Sequence, residues 1–338
     1  MQRRIMSLGR SSMVISLPKN WLKLNELNKG DVVSYALQRD RSLVIYPTAS
    51  KQRVNKEITH RIAQNEDFDL ITHKIIGSFL AGYSGITLIS EKIFSVIQMK
   101  AIRKIAMTLY MRIMESNPQG VYLQTIADES KASLDQAIQR MYIISRSMCE
   151  DVFTSLKSND LELAKAVFSL DEDVDQFSFL ILRLLRNAAQ NPVLANEFNI
   201  DPLDCMDHQT LVYRMEHAAD YSADIARHIV MLAGTKEKIP DDVLLLLVNS
   251  GTEASELYFE AVNAFFSKDV SFSVEIMKRH LKIEKRDADI ASKTHMGEQK
   301  KAELVCSICS IRDSIKRIAD TAANIAEIAV NRAFKTSS

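Results

Sequence analysis

The segment SIKRIADTAANIAEIAV, residues 314–330, has the residue pattern of an amphipathic helix. At 100° per residue, its apolar side chains fall on one side of a helix and its polar side chains on the other. The apolar side, continued into the preceding turns, is formed by Ile308, Ile311, Ile315, Ala322 and Ala326. A related segment, YRMEHAADYSADIARHI, lies earlier at residues 213–229. Two such segments indicate an internal duplication of amphipathic helices.

Each of these segments is the last helix of a predicted set of three. The helical period places helices near 129–158, 160–190 and 203–233, and again near 240–267, 270–297 and 300–334. The short loops KSND and SKD join the first two helices of each set, which makes those helices antiparallel neighbours. The sequence therefore predicts tandem three-helix bundles over residues 128–235 and 236–338.

The repeats resemble PhoU, a phosphate-uptake regulator family built from two three-helix bundles. The family pattern E-R-I-x-D-x-A-x-N-I-A is matched by Arg317-Ile318-Ala319-Asp320 and Ala323-Asn324-Ile325-Ala326-Glu327. The earlier copy keeps the acids of the pattern but not its Arg-Ile pair; it reads Glu216, Asp220 and Asp224-Ile225-Ala226. The resemblance implies regulation of phosphate uptake and metal clusters on the outside of the bundles.

Acidic side chains form stripes on several of these helices. In the first half the stripe residues are Asp171, Asp175, Glu216, Asp220 and Asp224, and in the second half they are His280, Glu284, Asp313, Asp320 and Asn324. The angles place the stripe of residues 216–224 opposite the apolar side of its helix. Two interpretations stay open: ordinary solvated helix faces, or sites for Fe, Zn or Mg, since carboxylates suit hard cations and a histidine suits Fe or Zn. Lys316 disfavours a cation in the second half because its ammonium repels one.

The first 50 residues form a different, basic module. Met13, Ile15 and Leu17 alternate along a strand, Pro18 ends it, and KNWLKLN follows as a short helix. NKGD then turns the chain, and two strands joined at RDRS form a hairpin. This module holds eight basic and three acidic residues, whereas the whole chain has a net charge of zero. A basic head on an acidic body suggests a polyanionic partner.

The module resembles the swapped-hairpin AbrB/SpoVT/MazE family of DNA-binding domains. The matching residues are Leu8-Gly9-Arg10, Val14-Ile15-Ser16-Leu17-Pro18 and Lys29-Gly30-Asp31-Val32-Val33. The resemblance implies an obligate homodimer, because two chains interleave their hairpins to complete one barrel. It also implies DNA binding through Arg3, Arg4, Arg10 and Lys23, with Lys19 nearby. A module that serves only dimerisation is the alternative.

Residues 51–127 predict a small α/β connector. Helices are expected at 66–83 and 94–115, and strands at 85–90, at 121–126 and before residue 64. The segment lacks a glycine-rich phosphate loop, so a connector or dimer contact is expected. Its FLAGYSGI stretch resembles a segment of archaeal proteins that fuse an AbrB head to a PhoU-like tail.

Composition excludes several classes of protein. No apolar run approaches the length of a membrane span, and four cysteines make no disulfide framework. Cys306 and Cys309 are expected to be small core residues. A di-iron enzyme is disfavoured because the predicted helical bundles, residues 128–338, contain no E-x-x-H motif. We also find no pairing of a nucleophile with a base, so no enzyme is predicted.

The sequence thus predicts a mainly helical, multidomain α+β protein: an AbrB-like β module, an α/β connector and PhoU-like bundles. The predicted function is that of a cytoplasmic, homodimeric, DNA-binding transcription regulator whose tail senses phosphate status through metal, phosphate or a partner protein. The alternative is an adaptor that contacts a phosphate transporter ATPase or a regulatory protein, with the head serving only dimerisation.

Overall fold

The computed structural model describes residues 2–9, 12–37, 41–47, 56–126, 133–235, 238–295 and 302–335. The chain divides after residue 55 into two compact units. Arg10, which was predicted to bind DNA, lies outside the described residues. Among the described helices, none combines the length and the hydrophobicity needed to cross a lipid bilayer.

The N-terminal unit consists of two hairpins and a short helix. Strand β1 (Met6–Leu8) pairs antiparallel with β2 (Ser12–Val14), and helix α1 (Lys19–Leu24) begins directly after Pro18. Strand β3 (Val33–Leu37) then pairs antiparallel with β4 (Leu43–Pro47), so the predicted second hairpin is confirmed. The strand predicted over Met13–Leu17 is shorter in the structure, where it ends at Val14. This shorter strand is β2, the second strand of the first hairpin.

The described side chains of this unit include no buried one. Met13 is 74% exposed and Ile15 48% exposed, although alternation predicted a buried face for both. The physical reason is size, since about 40 residues cannot enclose a core on their own. A single copy of this unit therefore leaves its apolar faces uncovered.

The second unit begins with a four-stranded sheet over residues 56–126, all of which are described. The elements are β5 (Glu57–Ile62), α2 (Phe68–Leu80), β6 (Gly85–Ser90), α3 (Val96–Thr108), β7 (Met111–Asn117) and β8 (Gly120–Thr125). The strand order is β5-β6-β8-β7; β5 and β6 are parallel, and β8 is antiparallel to both of its neighbours. Ile71, Ile75, Phe79, Ile86, Leu88 and Leu123 are fully buried in its core.

The prediction of one helix over residues 94–115 is wrong at its end. Helix α3 stops at Thr108, Tyr110 takes a positive φ of 51°, and the chain continues as β7. The turn between Asn117 and Gly120 brings β8 alongside this segment, and the ladder of hydrogen bonds with β8 prevails over the local helical pattern.

Long helices make up the rest of the second unit. The first half contains α4 (Leu134–Ser158), α5 (Leu161–Gln190), the short α6 (Pro192–Glu197) and α7 (Pro202–Ala233), and the second half contains α8 (Asp241–Ser267), α9 (Val270–His295) and α10 (Ala302–Ala333). The predicted long helices are confirmed to within a few residues at most ends, whereas α6 was not predicted. One hydrophobic core runs through both halves.

The duplication is visible in the backbone as well as in the sequence. The residue that follows α4 and caps its C-terminal end is Asn159, with φ 55°. The corresponding residue after α8 is Lys268, with φ 56°. Both residues adopt the left-handed conformation that commonly ends a helix. The corresponding loops KSND and SKD therefore use the same turn. The exposed Cys306 corrects the expectation of a core residue, whereas Cys309 is half-buried.

Candidate metal centres on the helical faces

Helices α5 and α7 bring four predicted ligands together. We call Asp171, Asp175, Glu216 and Asp220 the acid cluster. The carboxyl groups of Asp171 and Asp220 are hydrogen-bonded, and Glu216 is close enough to feel the charges of the other three. Adjacent turns of two packed helices thus place four carboxyl groups at one position.

Burial and mutual repulsion raise the pKa values in the acid cluster. Desolvation is the largest cause of the raised pKa at each position. Neighbouring carboxylates raise the pKa further at Asp175, Glu216 and Asp220, whereas Arg227 and the hydrogen bond with Asp220 oppose the rise at Asp171. The pKa rises to about 6 for Asp175, to about 7 for Glu216 and to about 7 for Asp220. A charged carboxylate here is costly near neutral pH unless a proton or a cation compensates it.

The prediction that Glu216, Asp220 and Asp224 lie opposite the core holds only in part. Asp220 is exposed, but Glu216 and Asp224 are half-buried, as are Asp171 and Asp175 on α5. The helical angles located the apolar side of α7 correctly, but α7 packs against α4, α5 and α10. Helix α5 therefore covers part of the face that the angles assigned to solvent.

A second group lies between α9 and α10. The ligand atoms of His280, Glu284 and Asp320, which we call the His–acid cluster, all lie within 4.8 Å of one another. His280 Nε2 is 2.6 Å from Asp320 Oδ1. Among the described residues, the acid cluster does not reach this degree of convergence. The second half, which Lys316 disfavoured at the sequence level, thus holds the tighter set of ligand atoms.

Lys316 lies beside the His–acid cluster, as its place in the sequence pattern predicted. Its Nζ lies 3.7 Å from Glu284 Oε1, so it competes with a cation for that carboxylate. Both side chains are well exposed, which makes the pair weak and easy to displace. The imidazole and two carboxylates suit Fe or Zn, whereas the all-carboxylate acid cluster suits Mg.

The remaining predicted ligands have other partners. Asp224 accepts hydrogen bonds from Arg227 at 3.0 Å and from the Ser314 hydroxyl at 3.1 Å. Asp313 pairs with Arg317 at 2.7 Å, and the Asn324 amide donates to the Asp320 carbonyl at 2.7 Å. Asp224 and Asp313 line a groove of about 300 Å³ that also contains Asp171 and Asp220. They therefore border the acid cluster without belonging to it.

The predicted DNA-binding side chains lie in the N-terminal unit. Arg3 and Arg4 precede β1 outside any helix or strand, and Lys19 and Lys23 lie on α1. All four are exposed. Arg10 lies outside the described residues, so its predicted place beside Arg3 and Arg4 has no structural counterpart here.

The sequence matches the PhoU domain over residues 138–229 and 247–329. The chain belongs to the PhoU family. One match contains all four residues of the acid cluster, and the other contains all three residues of the His–acid cluster. The N-terminal unit and the sheet of residues 56–126 lie outside both PhoU matches.

Solved PhoU structures show the same fold. PhoU from Pseudomonas aeruginosa is similar with a TM-score of 0.52 and 19% identity, over 58% of this chain and 93% of that one. The phosphate transport system regulatory protein PhoU from Streptococcus pneumoniae is similar with a TM-score of 0.51 and 19% identity, over 61% of this chain and 95% of that one. No curated protein sequence matches the chain at a significant level.

Sequence reasoning missed two groups of residues around the bundles. Arg183 is 2% exposed and donates to carbonyl groups at the end of α2. At one end of the bundle, Arg332 and Lys335 face Asp201, Asp204 and Asp207. The i, i+3 spacing of those three aspartates was a usable signal, but nothing local identifies their partners at the end of α10.

Proposed function

We propose that this protein is a homodimeric, DNA-binding regulator of phosphate uptake that acts in the cytoplasm. Its PhoU bundles sense phosphate status, and its N-terminal unit binds DNA in an AbrB-like arrangement. The observation that carries the proposal is that a PhoU-family chain has a basic N-terminal unit whose apolar side chains are left uncovered in one copy.

The exposed apolar side chains support dimerisation. Ile5 is 72% exposed, Leu24 83%, Val32 69%, Tyr35 73% and Leu37 67%. Each large apolar side chain gains roughly 1.5–3 kcal/mol from full burial, so this number of exposed ones strongly favours association. Two copies that interleave their hairpins would cover these faces with one another.

Charge supports a DNA partner for the dimer. Eight basic and three acidic residues occupy positions 1–50, and Arg3, Arg4, Lys19 and Lys23 are exposed. Dimerisation doubles this charge on one small body. Lysines attract phosphate groups, and arginines also recognise guanine edges in the major groove.

The clusters on the bundles support a metal-dependent sensor. Asp171, Asp175, Glu216 and Asp220 would hold a hard cation, and His280, Glu284 and Asp320 would hold Fe or Zn. When bound, the ion neutralises carboxylates that otherwise repel one another across α5 and α7. The protein's own contribution is to keep these groups close and partly desolvated; Asp171, Asp175 and Glu216 are half-buried.

Genome-wide mapping of bound DNA at high and low phosphate tests the DNA-binding function. We expect discrete sites near phosphate-uptake genes whose occupancy changes with phosphate. A chain with Arg3→Ala, Arg4→Ala and Lys23→Ala should lose them while remaining dimeric. Absence of specific sites in the parent chain would favour the adaptor, which acts by contacting a transporter ATPase or a regulatory protein.

Elemental analysis tests the metal centres separately. Glu216→Ala with Asp220→Ala should lower the metal bound per chain, and His280→Ala should lower Fe or Zn at the other cluster. Asp313→Ala is the matched control, because Asp313 pairs with Arg317 and borders the acid cluster from outside it. Equal metal content in all variants would show that the stripes are solvated faces only.

A further inference from the structure

Helix α5 connects the acid cluster with the sheet-containing layer of residues 56–126. Asp171, Asp175, Phe179, Arg183 and Asn187 follow one another at intervals of four residues. Residues with this spacing form one ridge on a helix surface. The first two residues belong to the acid cluster, and the last three contact the layer. Asp171 and Arg183 are about 18 Å apart along the helix axis.

The lower part of this ridge holds the end of α2. The Arg183 guanidinium donates to the carbonyls of Phe79 and Tyr83, the latter at 2.9 Å, and its Cζ lies 4.5 Å from the centre of the Phe79 ring. Arg186 Nε donates to the Leu80 carbonyl at 3.1 Å. The last carbonyls of a helix lack partners within it and form its negative end. Two arginines therefore satisfy the C-terminal end of α2 from α5.

The turn after α2 approaches α5 closely, and a glycine makes this approach possible. Gly82 has a φ of 88°, and a Cβ atom there would lie 2.7 Å from Asn187 Oδ1. Phe179 packs into the hydrophobic core of the layer. A glycine, a buried arginine and an aromatic side chain thus make one close fit between α5 and the layer.

A second contact lies beside the acid cluster. Lys104 of α3 pairs with Glu172 of α5 at 3.1 Å, but both side chains are at least 70% exposed. Such a pair contributes little. Of these two polar contacts between the layer and α5, the buried one of Arg183 is therefore the stronger.

We infer that α5 couples the acid cluster to the sheet-containing layer, so that cation binding between α5 and α7 tightens the hold of Arg183 on the end of α2. This inference rests on the proposed metal binding. Without a cation, the clustered carboxylates oppose close packing of α5 on α7. A cation removes that repulsion and orders α5. The end of α2 then becomes more ordered too, because Arg183 fixes α2 to the same ridge of α5. Linkage then requires that the Arg183 contact strengthens cation binding in return.

Hydrogen exchange of the full chain with and without Mg²⁺ tests the coupling. In the parent chain, Mg²⁺ should slow exchange in α5, α7 and the last turn of α2, with a smaller effect in α8. Arg183→Met keeps most of the side-chain volume but removes the guanidinium. In this variant, Mg²⁺ should still protect α5 and α7 but no longer α2, and calorimetry should show Mg²⁺ affinity reduced by about five-fold or more.

Lys165→Met is the control on the same helix, because Lys165 is exposed and pairs only locally with Glu162 among the described contacts. It should behave as the parent. If Mg²⁺ binds the parent and protects α5 and α7 but not α2, the coupling is wrong and the metal site stands. If α2 responds equally in Arg183→Met, the arginine is not the route. If calorimetry detects no Mg²⁺ binding to the parent, the metal assignment fails and the coupling fails with it.

Should Arg183→Met not fold, Arg183→Lys gives the same comparison. It keeps a cation at the site, but an ammonium lacks the planar fork with which the guanidinium donates to both the Phe79 and the Tyr83 carbonyls. A reduced response of α2 to Mg²⁺ supports the coupling, and an unchanged response contradicts it.

Discussion

Gly251 lies in the middle of α8, where the ring of Phe153 from α4 occupies the space that a Cβ atom would need. That Cβ would lie 2.0 Å from Cε1 of the ring. Phe153 is 3% exposed and its ring is rigid, so it cannot move aside without disturbing the core. The residue pair therefore sets how closely the two bundles approach one another at α4 and α8.

Gly251→Ala should destabilise the protein. Alanine gains about 1 kcal/mol of helix propensity over glycine, but overpacking a core costs roughly 1–3 kcal/mol and more when a ring must shift. We expect a net loss of about 1–2 kcal/mol in the free energy of unfolding, measured in urea. Gly77→Ala in α2 is the control, since nothing lies within 4 Å of its added Cβ. Equal stabilisation by both substitutions would contradict the packing described.

The raised pKa values of the acid cluster predict a specific pH dependence without metal. Unfolded aspartate and glutamate titrate near pH 4, whereas Asp175, Glu216 and Asp220 titrate at about 6 to 7 when folded. Between these values the folded state binds more protons, so its stability falls as the pH rises. Asp220→Asn removes one of the repelling charges. It should raise the free energy of unfolding by about 1 kcal/mol at pH 8, allowing for solvent screening, and by little at pH 4.

Urea unfolding at both pH values in the presence of a chelator measures this difference. Asp313→Asn is the control, because its carboxylate is paired with Arg317 outside the cluster. A stability gain of Asp220→Asn that is the same at pH 4 and pH 8 would mean that the carboxyl groups do not repel one another in the folded state.

At the scale of elements, the start of α7 and the end of α10 are joined by charges. Lys335 Nζ lies 2.5 Å from Asp201 Oδ2 and 2.7 Å from Asp204 Oδ2. The Arg332 side chain, 9% exposed, stacks over Phe265 with its Cζ 3.9 Å from the ring centre. Carboxylates at a helix start and cations at a helix end also suit the two helix dipoles. This network ties the last helix of one half to the last helix of the other.

Lys335→Met should therefore cost about 2–3 kcal/mol of unfolding free energy, because it leaves the buried Asp204 without its closest cation. Lys293→Met is the matched control. Lys293 pairs with Asp242 at 3.5 Å in an exposed position, and its loss should cost less than about 0.5 kcal/mol. Thermal unfolding of the two variants distinguishes them, and similar melting temperatures would argue against the network.

The elements differ in how far the sequence predicted them. The long helices have strong apolar periodicity, and β6 was placed at its observed bounds of Gly85–Ser90. Strand β7 was missed because Met111–Asn117 continues an apolar helical pattern, and only pairing with β8 makes it extended. Helix α6 was missed because six residues carry too little periodicity, although Asn191 and Pro192 are a recognisable helix start.

The candidate sites were likewise predicted from the sequence only in part. Spacing of i, i+4 predicted which acids share a face, but not which helix covers that face. Asp220 and Asp320 occupy equivalent places in their repeats, yet Asp220 meets Asp171, whereas Asp320 meets His280. Arg183 gave no signal because its partners are backbone carbonyls in a segment about 100 residues away. Contacts of that kind depend on tertiary packing alone.

At the scale of the whole molecule, the N-terminal unit should hold two copies together. A chain that begins at residue 56 retains both hydrophobic cores of the second unit, so it should stay folded and helical. It loses the exposed apolar faces of the first unit, so its self-association should weaken by at least ten-fold. Sedimentation velocity over a range of concentrations measures the change. An equally tight dimer from the shorter chain would place the dimer contact elsewhere.

We propose above all that this PhoU-family chain binds DNA through its basic N-terminal unit. A fluorescence titration of labelled promoter DNA at several salt concentrations tests it most directly, using the parent, Lys23→Ala, and Lys165→Ala as a control on the bundle. We expect steeply salt-dependent binding by the parent and the control. Lys23→Ala should bind more weakly and lower the slope of log affinity against log salt by about 0.9 per lost phosphate contact, hence by nearly 2 in a dimer. An intact dimer that shows no salt-dependent affinity for DNA, or an unchanged slope for Lys23→Ala, would contradict the claim.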